Sequence, residues 1–255
     1  MQIDPRDEPF LSSATPQADG QRVGVLLSQG FTGTPASMRA WAEHLAAHGY
    51  AVSAPLLPGH ATRWQDLNKK RWADWYGEVQ LAFDKLHAEC DQVVVGGLSM
   101  GGGLVLQLAA DRGREVAGVM VVNPAVNIAR WDVKLLPVLK HVVPAMPGIG
   151  SDIKKPGVEE RAYRHTPLKA AHSMLQGYAA VRKALPDITQ PLLLMTSTVD
   201  RVVDPSSAQI IRSTVSSRDV TELRLENSYH VATVDNDAPA IFDASLEFVR
   251  RVTGP

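Results

Sequence analysis

Cysteine is almost missing from this chain of 255 residues: Cys90 stands alone. An internal disulfide framework and a cysteine zinc cluster are therefore excluded, and Cys90 reads as a buried thiol at the end of a helix. An excess of charge of either sign is missing too. There are 26 Lys and Arg against 27 Asp and Glu, a formal net charge of −1, and no long block of like charge. The electrostatic footprint of a nucleic-acid binder is absent, so no nucleic-acid partner is expected. No stretch reaches the roughly eighteen consecutive apolar residues that a membrane-spanning helix needs. The opening residues, Met1-Gln2-Ile3-Asp4-Pro5-Arg6-Asp7-Glu8-Pro9, put acids and prolines where a secretory leader would carry a basic stretch and an apolar run. A soluble, cytoplasmic protein is the expectation. Without an H-E-x-x-H motif or a cysteine pair, neither a catalytic metal nor a cofactor is expected. Internal repeats and low-complexity tracts are lacking as well.

What remains is a composition of 45% hydrophobic and 21% charged residues, enough to bury a sizeable core. Short apolar runs rich in Val, Leu and Ile recur at Val23 to Leu27, Ala51 to Ala54, Val93 to Val95, Val116 to Val122 and Leu192 to Met195. They are too short for helices and do not alternate with polar residues, which fits strands buried on both faces. Thr221 to Glu226 is the candidate for a final strand. Helical stretches lie between the runs: Ser37 to His48, with Ser37 as N-cap and Gly49 just beyond the end, then Trp72 to His87, Gly101 to Arg112 and Ser206 to Val215. Alternating strands and helices predict an α/β fold with a mostly parallel central sheet flanked by helices. The alternation fails once, over about seventy residues between Asn123 and Leu192, too long for an ordinary connection. That stretch holds Leu135, Leu136, Val138, Leu139, Val142, Val143 and Met146, followed by a polar segment. It reads as a small helical cap, residues 124–185, inserted before the last two strands of a single domain spanning 1–255. A surface excursion without a role is the blander alternative.

Gly97-Leu98-Ser99-Met100-Gly101 matches the nucleophile-elbow pattern. As a bare pattern it is weak. Its context is strong, because an apolar strand precedes it and a helical run follows, so the serine can sit on a tight strand-to-helix turn with its hydroxyl above the sheet. A serine needs a base to remove its proton. Of the eight histidines, His230 follows the last strand candidate, which is where the α/β-hydrolase order of Ser, acid, His puts the base. Two aspartates compete for the acid. Asp204 stands before Pro205 and Ser206, the pattern of an N-cap followed by proline in the first helical turn, which leaves Asp200 to orient the histidine. The oxyanion of an acyl-transfer intermediate needs backbone donors. The amide of Met100 is the first candidate, and Phe31, flanked by Gly30 and Gly33 in the loop after the first apolar run, is the second. His60 reads as structural, and His44, His48, His87 and His141 as helix residues of the surface or packing.

Gly30-Phe31-Thr32-Gly33-Thr34-Pro35, the elbow, Gly150-Ser151-Asp152-Ile153-Lys154, Asn227-Ser228-Tyr229-His230-Val231-Ala232-Thr233 and Ser245-Leu246-Glu247-Phe248 together resemble the bacterial monoacylglycerol lipases, with thermostable carboxylesterases as close relatives. The resemblance runs from about Val23 to Val252. It implies a hydrolase of medium to long monoacylglycerols, whose small lipid ester substrate is met through a cap able to rest on lipid aggregates or a membrane surface. Among the adjacent acids Glu159 and Glu160, similarity around Ala162-Tyr163 and Thr166-Pro167 favours Glu160 as the carboxylate that receives the glycerol diol. An exposed helix acid paired with Arg164 is the alternative. At Gln29 the chain departs from the pattern, since most relatives place His before Gly-Phe-Thr-Gly. A short-chain carboxylesterase and a non-catalytic ligand-binding protein of the same fold are the rival functions.

Overall fold

The computed structural model describes residues 3–18, 20–129, 133, 135–148 and 151–254. The main sheet has seven strands in the order β1-β3-β2-β4-β5-β8-β9, formed by Phe10–Ser12, Ala51–Ala54, Val23–Ser28, Gln92–Leu98, Val116–Val122, Leu192–Ser197 and Val220–Leu225. All neighbours pair in parallel except β1, which runs antiparallel to β3. Helices α1 (Ala36–Ala47) and α8 (Ala238–Thr253) cover one face, meeting Val25, Leu27, Val94 and Met120 with Trp41 and Phe248. On the other face lie α3 (Trp72–Glu89), α4 (Met100–Arg112) and α6 (Leu168–Ala184), packed on Leu26, Val93, Val95 and Val121. Burial on both faces is why the central strands are unbroken apolar runs. This is the α/β-hydrolase architecture, a mostly parallel sheet flanked by helices.

The expected strands are present, several longer by a residue or more at one end, and β1 is an addition. Ser37 does not cap α1. It lies inside the helix, its hydroxyl donating to the Thr34 carbonyl at 2.9 Å, because Pro35 already supplies a helical backbone (φ −54°) at the start. His141 lies in the turn after the short helix α5 (Leu136–Leu139) rather than on it. Cys90 is buried and ends α3.

The insertion expected as a cap of short helices divides in two. Between β5 and β8 come α5, an antiparallel pair of β6 (Ala145–Pro147) and β7 (His165–Pro167), and α6. Helix α6 is long and belongs to the main helical layer: it buries Ala170, Met174, Tyr178 and Val181 against α3 and α4. Gly177 makes the close approach, since a Cβ there would lie 2.0 Å from the Trp72 ring. The cap proper is therefore α5, the hairpin and the irregular segment between its strands. There Leu135, Val138, Val142 and Met146 stay exposed, while Leu136, Leu139 and Val143 pack inward with Leu168, Ala171 and Phe31.

The tightest packing is at the start of α4. A Cβ on Gly101 would stand 2.1 Å from the Ser28 carbonyl oxygen, and one on Gly97 2.4 Å from Gly101 itself. Both neighbours are backbone, with no flexible tip to move aside. Gly101→Ala should lower unfolding stability by roughly 3 kcal/mol or more, measured by urea titration; a loss below about 1 kcal/mol would show that the β2–α4 contact is looser than described.

Candidate active site

Ser99 sits between β4 and α4 with φ 56° and ψ −119°, a conformation costly for any residue with a side chain. Hydrogen bonds hold it there. Its amide donates to Val122 O at 3.0 Å, and its carbonyl accepts from Ala125 N at 3.0 Å and Gly103 N at 3.3 Å. The glycines on either side are required by contact rather than by their own torsions, as the collisions of an added Cβ show. Gly30 brings the next loop alongside: a Cβ there would lie 3.3 Å from Ser99 Cβ and 3.8 Å from its Oγ.

The structure joins two of the other candidates directly. His230 Nδ1 lies 2.8 Å from Asp200 Oδ2, with both side chains nearly buried. The second carboxylate oxygen of Asp200 accepts the amides of Val202 and Val203, each at 2.8 Å. These bonds hold the carboxylate in place. Asp204 instead accepts the Ser206 amide at 2.9 Å and is exposed, the capping task expected of it ahead of α7 (Ser206–Thr214).

Asn123, just past β5, is an anchor of the candidate site that the sequence did not reveal. It has φ 43°. Its Nδ2 donates to His230 O at 2.8 Å and to Ser197 Oγ at 2.9 Å, while its Oδ1 accepts Ser197 N at 2.7 Å. Because the preceding residue, Val122, receives the Ser99 amide, one strand end anchors both the elbow and the histidine loop. A polar residue closing a seven-residue apolar run was the only signal for it.

The amides of Phe31 and Met100 donate to no acceptor among the described residues. Gln29, the departure from the usual pattern, is buried and closes the loop by donating from Nε2 to Gly33 O at 3.0 Å, with Oε1 unpartnered. The Phe31 ring packs edge-on against Trp75 and His60, at centroid separations of 5.6 and 6.4 Å. His60 Nδ1 meets Leu57 O at 3.2 Å, and burial pushes the imidazole pKa down to about 4. His60 is thus a neutral packing element behind the loop.

Glu160 lies outside any helix and makes no ion pair with Arg164 among the described contacts. A Cβ on Gly33 would be 2.9 Å from its Oε1, so the carboxylate abuts the same loop whose Gly30 meets Ser99. Among the described residues the carboxylate has no hydrogen-bond or ion-pair partner. The residue keeps part of its surface open to solvent, yet protein surrounds the carboxyl end closely enough that burial raises its pKa, with the nearby His230 pulling the other way. Two clamps fix the strip around it. Arg161 donates to both oxygens of buried Asp7 at 2.8 Å, and Asp7 also accepts from Thr34 Oγ1 at 2.7 Å. Tyr163 bonds Thr32 O through its amide at 3.2 Å and Gly59 O through its hydroxyl at 2.9 Å. Among the described residues no three His, Cys, Asp or Glu side chains gather as metal ligands do, and no helix is long and apolar enough to cross a membrane.

The family described as serine aminopeptidase S33, a hydrolase family, matches residues 20–237. A thermostable monoacylglycerol lipase of Bacillus sp. (strain H-257) is 40% identical over 96% of this chain and 98% of its own length. A solved structure from a study of two metagenome-derived lipolytic enzymes superposes with a TM-score of 0.93 at 38% identity, covering 98% of this chain and all of that one. The chain belongs to this family of ester hydrolases. A carboxylesterase of Bacillus subtilis (strain 168) is more distant, 25% identical over 89% of the chain and 92% of its own length. In this hydrolase the partly buried Glu160 has a measurable consequence. A carboxylate whose folded pKa exceeds its unfolded value costs nothing while both states are protonated, and destabilises the fold as pH rises toward the raised value. Glu160→Gln should therefore melt above the parent at pH 8, with the gap closing toward about pH 4; melting curves that coincide at both pH values would mean the carboxyl is effectively solvated.

Proposed function

We propose that the chain hydrolyses monoacylglycerols to glycerol and free fatty acid through an acyl-enzyme. The Ser99 hydroxyl attacks the ester carbonyl as His230 takes its proton. Asp200, remaining ionised, holds the imidazole tautomer and stabilises the imidazolium. The amides of Phe31 and Met100 receive the oxyanion, which is where unoccupied, fixed donors are worth most. Collapse of the tetrahedral intermediate returns the proton from His230 to the leaving glycerol oxygen. Water then attacks the acyl-Ser99 carbonyl with the same base, releasing the fatty acid.

The observation that carries the substrate class is Glu160. A carboxylate without a partner among the described residues, beside the loop of residues 30–34, is the strongest acceptor available for the two hydroxyls of a free glycerol. The inward residues Leu139, Val143, Leu168 and Ala171 gather around Phe31 and give an acyl chain an apolar wall. Exposed Leu135, Val138, Val142 and Met146 suit contact with a lipid aggregate from which such a substrate is drawn. The name of the Bacillus relative points the same way.

Ser99→Ala or His230→Ala should lower kcat by roughly four orders of magnitude, with Asp200→Asn close behind, while Asp204→Asn changes little because Asn also caps helices. A healthy Asp200→Asn enzyme beside a dead Asp204→Asn one would reverse the assignment of the acid. Glu160→Gln should lose about 1.5–3 kcal/mol in kcat/KM for a monoacylglycerol and keep near-normal turnover of a p-nitrophenyl ester, which has no diol. Parallel losses on both substrates, or none, would favour a general carboxylesterase.

A further inference from the structure

Asp152 is a nearly buried carboxylate, 6% exposed, that the acyl-transfer scheme leaves without a task. It comes from the insertion between β5 and β8, outside the loops that carry Asp200 and His230, yet it binds both. Its Oδ2 accepts the amide of His230 and the amide of Arg201, each at 3.2 Å. Its Oδ1 meets the Arg201 guanidinium at 3.3 Å, and that guanidinium lies 3.8 Å over the ring of Tyr229. The main-chain carbonyl of Asp152 takes the Val231 amide at 3.1 Å. One residue thus grips the position after the acid and the backbone of the histidine.

The neighbours of Asp152 extend the grip. The amides of Lys154 and Lys155 donate to the buried Asp235 carboxylate at 2.7 and 2.8 Å, and the Tyr229 amide reaches the same group at 2.9 Å. On the other side, Ser151 Oγ accepts the amide of Glu160 at 2.8 Å. Two loops leaving the ends of β8 and β9 must keep His230 and Asp200 in register for their 2.8 Å bond to persist. The sheet fixes the roots of those loops, and Asn123 and Ser197 hold the carbonyls of His230 and Tyr229; the His230 amide and the Arg201 position are held by Asp152.

We infer that Asp152 is a positioning residue for the Asp200–His230 pair, and that through Ser151 it makes the Glu160 strip and the base one rigid unit. This rests on the triad proposed above. The chemistry asks for a carboxylate: three N–H donors converge on two oxygens, and an amide side chain has one acceptor oxygen and a donor that would face the guanidinium. A base displaced by part of an ångström lowers the rate of attack while leaving substrate affinity in place.

The test compares the full-length parent, Asp152→Asn, Asp152→Ala and Ser99→Ala. It follows the second-order rate of fluorophosphonate labelling, kcat and KM on a p-nitrophenyl ester and a monoacylglycerol, and thermal melting. Asp152→Ala should label and turn over about 10–100-fold more slowly on both substrates, with KM within about twofold and melting still cooperative. Asp152→Asn should fall about 3–10-fold and carries the test alone if the alanine variant does not fold. Asp152→Asn labelling at the parental rate, or a loss confined to KM or to the monoacylglycerol, would overturn the positioning role. A parent that fails to label at Ser99 would instead overturn the triad.

Discussion

The strained backbone of Ser99 governs where the other site elements lie. A residue with a side chain at φ 56° and ψ −119° costs of order 1–3 kcal/mol, and nothing local repays it. The bond from its amide to Val122 and the two bonds to its carbonyl come from β5, the residues after it, and α4. These elements stay put because the sheet between them is buried on both faces. The same turn sets the loop of residues 30–34, the proposed oxyanion loop. With no Cβ on Gly101, the carbonyls of Ser28 and Gln29 pass within 2.1 and 2.5 Å of where one would be, so the end of β2 is pressed onto the start of α4. Gly30, next to Gln29, is thereby brought alongside Ser99.

Much of this could be read in the chain order. The central strands are legible because burial on both faces writes them as apolar runs, and the elbow because strand, turn and helix are contiguous. Asp200 and Asp204 are told apart in sequence by capping chemistry, and in the structure Asp200 accepts the Val202 and Val203 amides while Asp204 accepts that of Ser206. The same capping logic misplaced the start of α1, where the proline two residues before Ser37 sets the first turn and the serine bonds backward instead. Strand β1 left no trace because three residues at a sheet edge, two half-buried and one exposed, are too few to show a period, and only pairing with β3, about forty residues on, makes them a strand. The Asp7–Thr34–Arg161 clamp was invisible for a related reason: its partners are 27 and 154 residues apart, and no local pattern encodes such contacts. Glu160 emerged from resemblance alone, its own neighbourhood reading equally well as a surface helix.

The insertion serves two ends with two kinds of physics. Around α5 it is apolar, with Val138 and Val142 exposed, which suits the lipid contact proposed above. From Ser151 to Tyr163 it is polar and tied down: to the histidine loop by Asp152 and Asp235, to the amino-terminal segment by Arg161, and to the Gly59 loop by Tyr163. The two parts meet on one loop, the first packing on Phe31 and the second bonding Thr32 and abutting Gly33.

That division bears on how one fold could prefer a monoacylglycerol over a simpler ester. An apolar channel discriminates weakly, since one methylene contributes only about 1–3 kcal/mol. A polar group held without a partner discriminates more sharply, because a substrate lacking the complementary donors leaves it unsatisfied. Glu160 meets that description only if it is prevented from finding a partner elsewhere. Arg161, the adjacent cation, is occupied by Asp7 and Asp4, and the amide of Glu160 by Ser151. Gly33 leaves room for the carboxylate where any side chain would displace it. Burial raises the pKa of Glu160; on the proposed reading that is a cost carried by the free enzyme, which the two hydroxyl donors of a glycerol would relieve.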